Sequence, residues 1–169
     1  NSLFYLNEES NIPTYFSGLN LLLAALISFF ISKDHDLSKK TKPRFWKLLA
    51  IVFLFLSFDE VAMFHERIYR ITLFFTENFG TSLVWYIPYG ILVVIGIIFL
   101  FRDFLSLDIK SKKIIAASGI IFISGAIGME HFSNNCDMFM NIKCSQNILF
   151  ALASLEESLE MVAICLFNF

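Results

Sequence analysis

The stretch Ser57-Phe58-Asp59-Glu60-Val61-Ala62-Met63-Phe64-His65-Glu66-Arg67 places three carboxylates and a histidine at the end of an apolar run, residues 48–56. The run is hydrophobic enough to lie in a lipid bilayer, where an ionisable side chain is costly and faces a bundle interior or a water-filled cavity. Two later stretches, residues 128–131 and 155–161, repeat this anomaly. We therefore expect the three stretches to meet at one functional site.

The composition of the whole chain indicates a membrane protein. Its 169 residues are 57% hydrophobic and 17% charged, and the mean hydropathy is +0.68. Soluble domains average about 45–50% apolar and about 25% charged residues. We expect an all-α integral membrane helical bundle, with residues 1–169 forming a single transmembrane domain. The net charge of −2 gives no reason to expect a nucleic-acid partner. Membrane lipids are the expected partners, and a homo-oligomer or a larger membrane complex stays open.

Five apolar segments are candidates for transmembrane helices. A helix needs about 20 apolar residues to cross about 30 Å of hydrocarbon. The second segment is longer than this, so we expect its far end to project from the membrane or to break near residues 67–70. The predicted spans are residues 15–31, 46–75, 83–101, 114–132 and 148–167.

The basic residues predict the orientation of the spans. They concentrate after the first and third spans, in two loops that a five-span arrangement places on the same side. Because short cytoplasmic loops are rich in Lys and Arg, that side is expected to be cytoplasmic. The N-terminus is then outside, which suggests one more segment before Asn1. The rich loops carry Lys33, Lys39, Lys40, Lys42, Arg44 and Lys47, and then Arg102, Lys110, Lys112 and Lys113.

The three cysteines fit this orientation. Cys136 and Cys144 fall in the outer loop before the last span, where an oxidising compartment would permit a disulfide; two free thiols are the alternative. A zinc site formed with His131 lacks the paired-cysteine spacing of such sites. Cys165 lies in an apolar stretch and is expected to be a small core residue.

The three acidic stretches are predicted to lie at similar depths. At a rise of 1.5 Å per residue, Asp59 and Glu60 lie roughly 20 Å from the cytoplasmic side and Glu130 roughly 24 Å. The acids of residues 156–160 lie roughly 12–18 Å below the outer surface. Small residues between positions 118 and 128 would let the fourth span pack closely between the second and the fifth. Tyr89 is interpreted as an ordinary aromatic of the membrane interface.

The first functional hypothesis is a divalent metal site. Carboxylate and imidazole ligands together suit iron, zinc or manganese. The Glu-x-x-His motif of four-helix di-iron proteins is absent, which favours a single-metal or irregular site. If the protein is an enzyme, a metal-activated water with a glutamate as general base would give a membrane hydrolase, and an oxidoreductase is the other option. No catalytic residue is assigned and no organic cofactor is expected. The candidate ligands are Asp59, Glu60, Glu66, Glu130, His131, Glu156, Glu157 and Glu160.

Other hypotheses remain open beside the metal site. Stacked acids could form a proton- or cation-coupled transporter or conduit, although no acids continue into the inner half of the membrane. The protein could also be a small accessory subunit of a larger membrane complex. In structural terms, Glu66 could belong to a solvated helix end, and the acids of residues 156–160 could be protonated and hydrogen-bonded between helices.

The acidic motifs also carry a family resemblance. They are Asp59-Glu60 followed by Glu66, then Gly128-Met129-Glu130, then Glu156-Glu157-Ser158-Leu159-Glu160-Met161. Together with the lead-in, residues 11–17, this arrangement resembles a broad group of uncharacterised bacterial integral-membrane proteins. The resemblance covers most of the chain and implies that these positions form one site in a bacterial membrane protein. With the orientation predicted from the basic residues, we expect the site towards the periplasmic side of the inner membrane. The resemblance implies no activity, and the His-x-x-x-His pair of ceramidase-like membrane hydrolases is absent.

Overall fold

The computed structural model describes residues 12–34, 42–64, 86–140 and 143–169, and these residues form helices and connecting turns without a strand. This confirms the all-α prediction for the described part of the chain. The elements are α1 Ile12–Lys33, α2 Pro43–Ala62, α3 Tyr86–Phe104, α4 Ile109–Ile123, a π-helical segment Ser124–Met129, α5 Glu130–Asn134, α6 Cys136–Met140 and α7 Gln146–Asn168. The short helices α5 and α6 connect the π-helical segment to α7.

Four of the five predicted spans coincide with observed helices, and the second is shorter than predicted. We predicted a helix over residues 46–75, but α2 ends at Ala62. Met63 follows in the left-handed conformation, with φ of 53°, and its N–H donates to the carbonyl of Asp59 at 2.7 Å. This left-handed residue ends α2 two residues after Glu60. The predicted break near residues 67–70 lies outside the described residues.

Two helices of the described part, Ile12–Lys33 and Ile109–Ser133, are long and apolar enough to cross a membrane. The second of these runs through α4, the π-helical segment and most of α5. Length and composition alone give limited support for membrane association, because the core helix of a soluble protein can meet the same criteria. The five-span arrangement and its orientation therefore stay predictions.

A buried aromatic cluster shows how the long helices are directed. Phe45 and Trp46, at the start of α2, pack together with Leu107, which follows α3. The same cluster receives the ends of α1, α3 and α7 and the start of α4. Successive long helices therefore run in alternating directions. The residues that contribute from those helices are Ile31, Leu100, Phe104, Ile115 and Phe167.

This alternation collects the basic residues at one end of the bundle. We call it the basic end, and we call the opposite end, which carries Cys136 and Cys144, the disulfide end. At the basic end Lys42 Nζ lies 2.8 Å from the nearly buried Asp103 Oδ1 and ties the start of α2 to the end of α3. The basic residues of helix ends gathered here are Lys33, Lys42, Arg44, Lys47, Arg102, Lys110, Lys112 and Lys113.

A glycine allows α1 and α2 to pack closely at the level of the first acids. A Cβ atom at Gly18 would lie only 2.9 Å from Cγ2 of Val61. Beside it, Ser57 Oγ donates to the Gly18 carbonyl at 2.8 Å. The α1–α2 pair is the most extensive helix contact in the described residues, and it holds the Asp59–Glu60 pair against the bundle.

The predicted close approach of the fourth span is borne out on one side, against α7. A Cβ at Gly125 would lie 3.1 Å from the Glu156 carbonyl oxygen and 3.2 Å from Cγ of Glu160. A Cβ at Gly119 or Gly128 would meet nothing within 4 Å. Gly125 thus brings the π-helical segment onto the acidic stretch of α7, as the small-residue pattern predicted.

The cysteine predictions have opposite outcomes. Cys136 and Cys144 form a disulfide, with their Cα atoms 6.1 Å apart, so the bonded alternative is confirmed. The prediction that Cys165 is a core residue is wrong, because it is free and exposed. On α7 the neighbouring Ala163 and Ile164 are the buried residues, and Cys165 lies on the apolar outer face. An apolar sequence stretch therefore does not distinguish the buried face of a helix from an exposed apolar face.

Gly125→Val should separate the π-helical segment from α7, because the new side chain meets the backbone of Glu156 rather than a flexible side-chain end. Overpacking of this kind costs about 1–3 kcal/mol. Gly128→Val is the matched control, since it lies three residues away on the same helix with open space around it. Thermal unfolding of both variants in a non-ionic detergent measures the difference; equal stability would contradict the close contact.

Asp108 caps α4 and should make its stability depend on acid. Its carboxylate accepts hydrogen bonds from Ser111 Oγ at 2.7 Å and Ser111 N–H at 3.0 Å, and these bonds lower the pKa of Asp108. A carboxyl whose pKa is depressed by folding stabilises the fold above its unfolded pKa of about 3.9, and this contribution fades as the pH falls through the folded value.

The stability difference between the wild type and Asp108→Asn should therefore be constant near neutral pH and shrink below about pH 4. Thermal unfolding across that range measures it. A difference that stays unchanged at acid pH would show that the Asp108 charge does not act through this cap.

Candidate functional site

A cavity of about 1130 Å³ lies between α2, α3, α4 and α7. Most of its lining is aliphatic or aromatic. Carboxylates from three parts of the chain, distant in sequence, also line it, together with Tyr89. The structure thus brings the three acidic stretches to one cavity. The carboxylates are those of Asp59, Glu60, Glu130, Glu156, Glu157 and Glu160.

The cavity has two chemically different halves. Leu49, Leu100, Ile115 and Phe167 line it and also pack on the aromatic cluster of the basic end. The acids belong to the later part of α2, the start of α5 and the middle of α7, towards the disulfide end. Ser118 belongs to the lining as well, but its Oγ is buried away from the open space. The cavity is therefore apolar towards the basic end and acidic towards the disulfide end.

Asp59 is the most buried of these acids, with 7% of its surface exposed. The hydroxyl of Tyr89 donates a hydrogen bond of 2.8 Å to Asp59 Oδ1. Because Tyr89 lies in the first turn of α3, this bond ties α3 to the acidic end of α2. We interpreted Tyr89 as an ordinary interface aromatic, so sequence reasoning missed its part in the site. A tyrosine near the start of an otherwise apolar span was the available signal, but it does not identify the partner.

Glu160 stands where the acids of α7 and α2 face each other. Glu157 and Glu156 on its own helix, and Glu60 and Asp59 on α2, all lie within electrostatic range of it. Glu156 and Glu160 are four residues apart, and therefore share one face of the helix. Like charges this close repel one another in a poorly hydrated site. The arrangement concentrates negative potential between the two helices.

Glu130 reaches the cavity at a change in helix type. The π-helical segment Ser124–Met129 ends directly before it. A π-helical turn holds more residues than an α-helical turn, so it rotates the residues that follow, and such turns are frequent at functional sites. This change of register comes at the point where Gly125 contacts α7. Glu130, the first residue after this segment, belongs to the cavity lining.

The remaining candidate ligands are placed differently. His131 follows Glu130 but is not part of the cavity lining. Its ring meets Phe139 edge-on at 5.8 Å between centroids, and its Nδ1 lies 3.5 Å from Asn135 Nδ2. Glu66 lies outside the described residues. Among the described residues, no group of three or more His, Cys, Asp or Glu side chains is arranged to hold a metal ion.

Comparison with known proteins gives a family and no activity. One family model, a domain of unknown function named DUF8692, matches residues 1–169. The chain belongs to this family. No curated protein and no solved structure matches it. The expectation of an uncharacterised family is thus confirmed. That the acidic motifs characterise the family, and that the family is bacterial, stay expectations.

Tyr89→Phe should loosen the acidic end of the DUF8692 chain, because it removes the hydrogen bond to the buried Asp59. Leaving a buried acceptor unpaired costs about 1–3 kcal/mol. Tyr15→Phe removes a hydroxyl from an exposed position of α1 and is the control. Thermal unfolding compares the two variants with the wild type. A Tyr89→Phe protein as stable as the Tyr15→Phe protein would mean that the hydroxyl does not hold α3 in place.

Proposed function

We propose that this protein is an integral membrane protein of five spans that binds a cation at the carboxylates of its cavity. The observation that carries the proposal is the convergence of six carboxylates, from α2, α5 and α7, on one cavity. Several of them lie within electrostatic range of Glu160. Carboxylates this close together favour a cation between them.

The membrane location is supported by the outer surface of the bundle. Large apolar side chains on three helices are widely exposed, among them Leu19 at 65%, Ile98 at 68% and Ile120 at 66%. Extended exposed apolar surface of this kind marks contact with lipid or with another protein. The gathering of basic residues at one end fits a cytoplasmic basic end. The acids would then lie towards the periplasmic face.

A divalent metal ion, the candidate from the sequence, is the simplest cation for this site. Iron, zinc and manganese all accept carboxylate oxygens, and hard cations prefer them. The carboxylates are distributed around the cavity rather than preset at coordination distance, so a metal would have to draw side chains from α2 and α7 together. We therefore expect binding of moderate affinity, with Glu160 contributing most because it lies close to acids of both α2 and α7, and with Glu157 beside it.

A proton or cation conduit is less well supported by the geometry. A relay needs ionisable groups along the whole path. The lining near the basic end consists of apolar residues such as Leu49 and Ile115, and the lining contains no charged residue there among the described residues. The cavity has its charges at one end, which suits a binding site that opens to one side.

The proposal is tested with the full chain purified without chelator. Metal content is measured by elemental analysis, and Mn²⁺ binding is followed by electron paramagnetic resonance. We expect the double variant Glu157→Gln/Glu160→Gln to weaken Mn²⁺ binding by about ten-fold or more, a loss of about 1.4 kcal/mol.

Asp34→Asn is the matched control, because it removes one exposed carboxylate at the end of α1, away from the cavity, and should leave Mn²⁺ binding unchanged. Equal Mn²⁺ affinity in the wild type and the double variant would overturn the carboxylate site. So would equal losses in the double variant and in Asp34→Asn.

A further inference from the structure

The cavity is much larger than a cation site requires. At about 1130 Å³ it exceeds the range of about 300–1,000 Å³ that is typical of pockets for organic ligands. A coordinated metal ion would use the acidic end alone. The apolar half, lined by residues such as Leu100, Ile115 and Phe167, would have no role in metal binding.

Two glycines keep the apolar half open. Gly96 on α3 and Gly119 on α4 both line the cavity, and a Cβ atom at either position would meet none of the described residues within 4 Å. In the π-helical segment, by contrast, Gly125 is needed because α7 lies against it. Within the described residues no helix packs on Gly96 or Gly119 in this way, so their missing side chains enlarge the cavity.

The polar groups of the cavity are placed for an elongated molecule with one charged end. The carboxylates collect at the disulfide end, and Tyr89 lies with them through its bond to Asp59. On the wall formed by α4 and α5, Ile115 lines the cavity near the basic end and Glu130 lines it at the acidic end, fifteen residues further on. At 1.5 Å per residue the two positions are about 22 Å apart. A ligand that spans them must be long, narrow and mostly apolar.

We infer that the cation bound by this cavity is the ammonium group of a single-chain amphiphile, whose alkyl chain fills the apolar half. The inference rests on the proposed cation site and names its ligand class. The carboxylates complement a positive head group, and would repel an amphiphile with a phosphate or carboxylate head.

The way α3 is attached is compatible with entry of such a ligand from the lipid. Within the described residues, α3 is fastened near its two ends, through Tyr89 to Asp59 and through Asp103 to Lys42. Between these points its inner face, including Val93 and Gly96, borders the cavity. A chain dissolved in the membrane could thus reach the cavity beside α3 without first passing through water.

The experiment uses the full chain in non-ionic detergent, with dodecylamine as the probe and dodecanol as its uncharged counterpart. Bound ligand is counted by native mass spectrometry, and Mn²⁺ binding is measured in parallel on the same preparations. We expect one dodecylamine per chain and no retained dodecanol. We also expect dodecylamine binding to be lost in Glu157→Gln/Glu160→Gln, which removes the partner of the ammonium group.

Gly119→Leu tests the amphiphile separately from the cation site, because it fills the apolar half of the cavity and leaves every carboxylate in place. It should weaken dodecylamine binding by about ten-fold or more, the loss expected when about two methylene groups are excluded, with Mn²⁺ binding unchanged. Gly128→Leu makes the same replacement outside the cavity and should leave both unchanged. Gly96→Leu places the same leucine side chain on α3, and it replaces Gly119→Leu in the experiment if that variant does not fold.

The outcomes distinguish the two proposals. Dodecylamine binding that is absent, equalled by dodecanol, or insensitive to the cavity-filling variants overturns the amphiphile, while carboxylate-dependent Mn²⁺ binding keeps the cation site. If neither Mn²⁺ nor dodecylamine responds to the double glutamine variant, the cation site itself is wrong.

Discussion

The cost of placing carboxylates inside an apolar helical bundle is the constraint on which this structure depends. Burying a carboxylate in apolar surroundings is costly unless the group is paired or hydrogen-bonded. α7 carries three acids in five residues, so these acids need a site apart from the apolar side chains of the bundle. The shared cavity gives them one, since Glu156, Glu157 and Glu160 face it together with acids of α2. Tyr89 meets the same need for Asp59 by donating a hydrogen bond.

The helix contacts follow from this constraint. α1 packs on α2 at Gly18, beside the acidic pair. Gly125 lets the π-helical segment lie against the acidic stretch of α7. The π-helical segment then turns Glu130 into the cavity lining. By contrast, Gly96 and Gly119 border the cavity, and no described residue lies within 4 Å of a Cβ placed there. Some glycines therefore bring helices together around the acids, and others enlarge the rest of the cavity. An acidic end and an open apolar half in one cavity are the features that a positively charged amphiphile would use.

The helices and the convergence of the acids could be predicted from the sequence, because both follow from strong local signals. Apolar runs of sufficient length predicted α1, α3, α4 and α7, and the rarity of acids in such runs singled out the residues of the cavity. The end of α2 could not be predicted, since a left-handed Met63 leaves no mark in hydropathy. Tyr89 was missed because its role depends on a partner thirty residues away. Cys165 was misplaced because hydropathy is the same for a core and for a lipid-facing surface. His131 was a natural candidate beside Glu130, yet neighbouring residues on a helix point about 100° apart, and its ring packs on Phe139.

The central claim is that acids from α2 and α7 share one cavity, and thiol cross-linking tests it most directly. In a Cys165→Ser background, Glu60→Cys is combined with Glu160→Cys, or with Leu155→Cys on the exposed face of α7 as the control. A short bis-maleimide is applied to the full chain in detergent, and linked peptides are quantified by mass spectrometry. The account predicts efficient linkage of positions 60 and 160 and little linkage of positions 60 and 155. Equal yields from the two pairs, or linkage of the control pair alone, would contradict it.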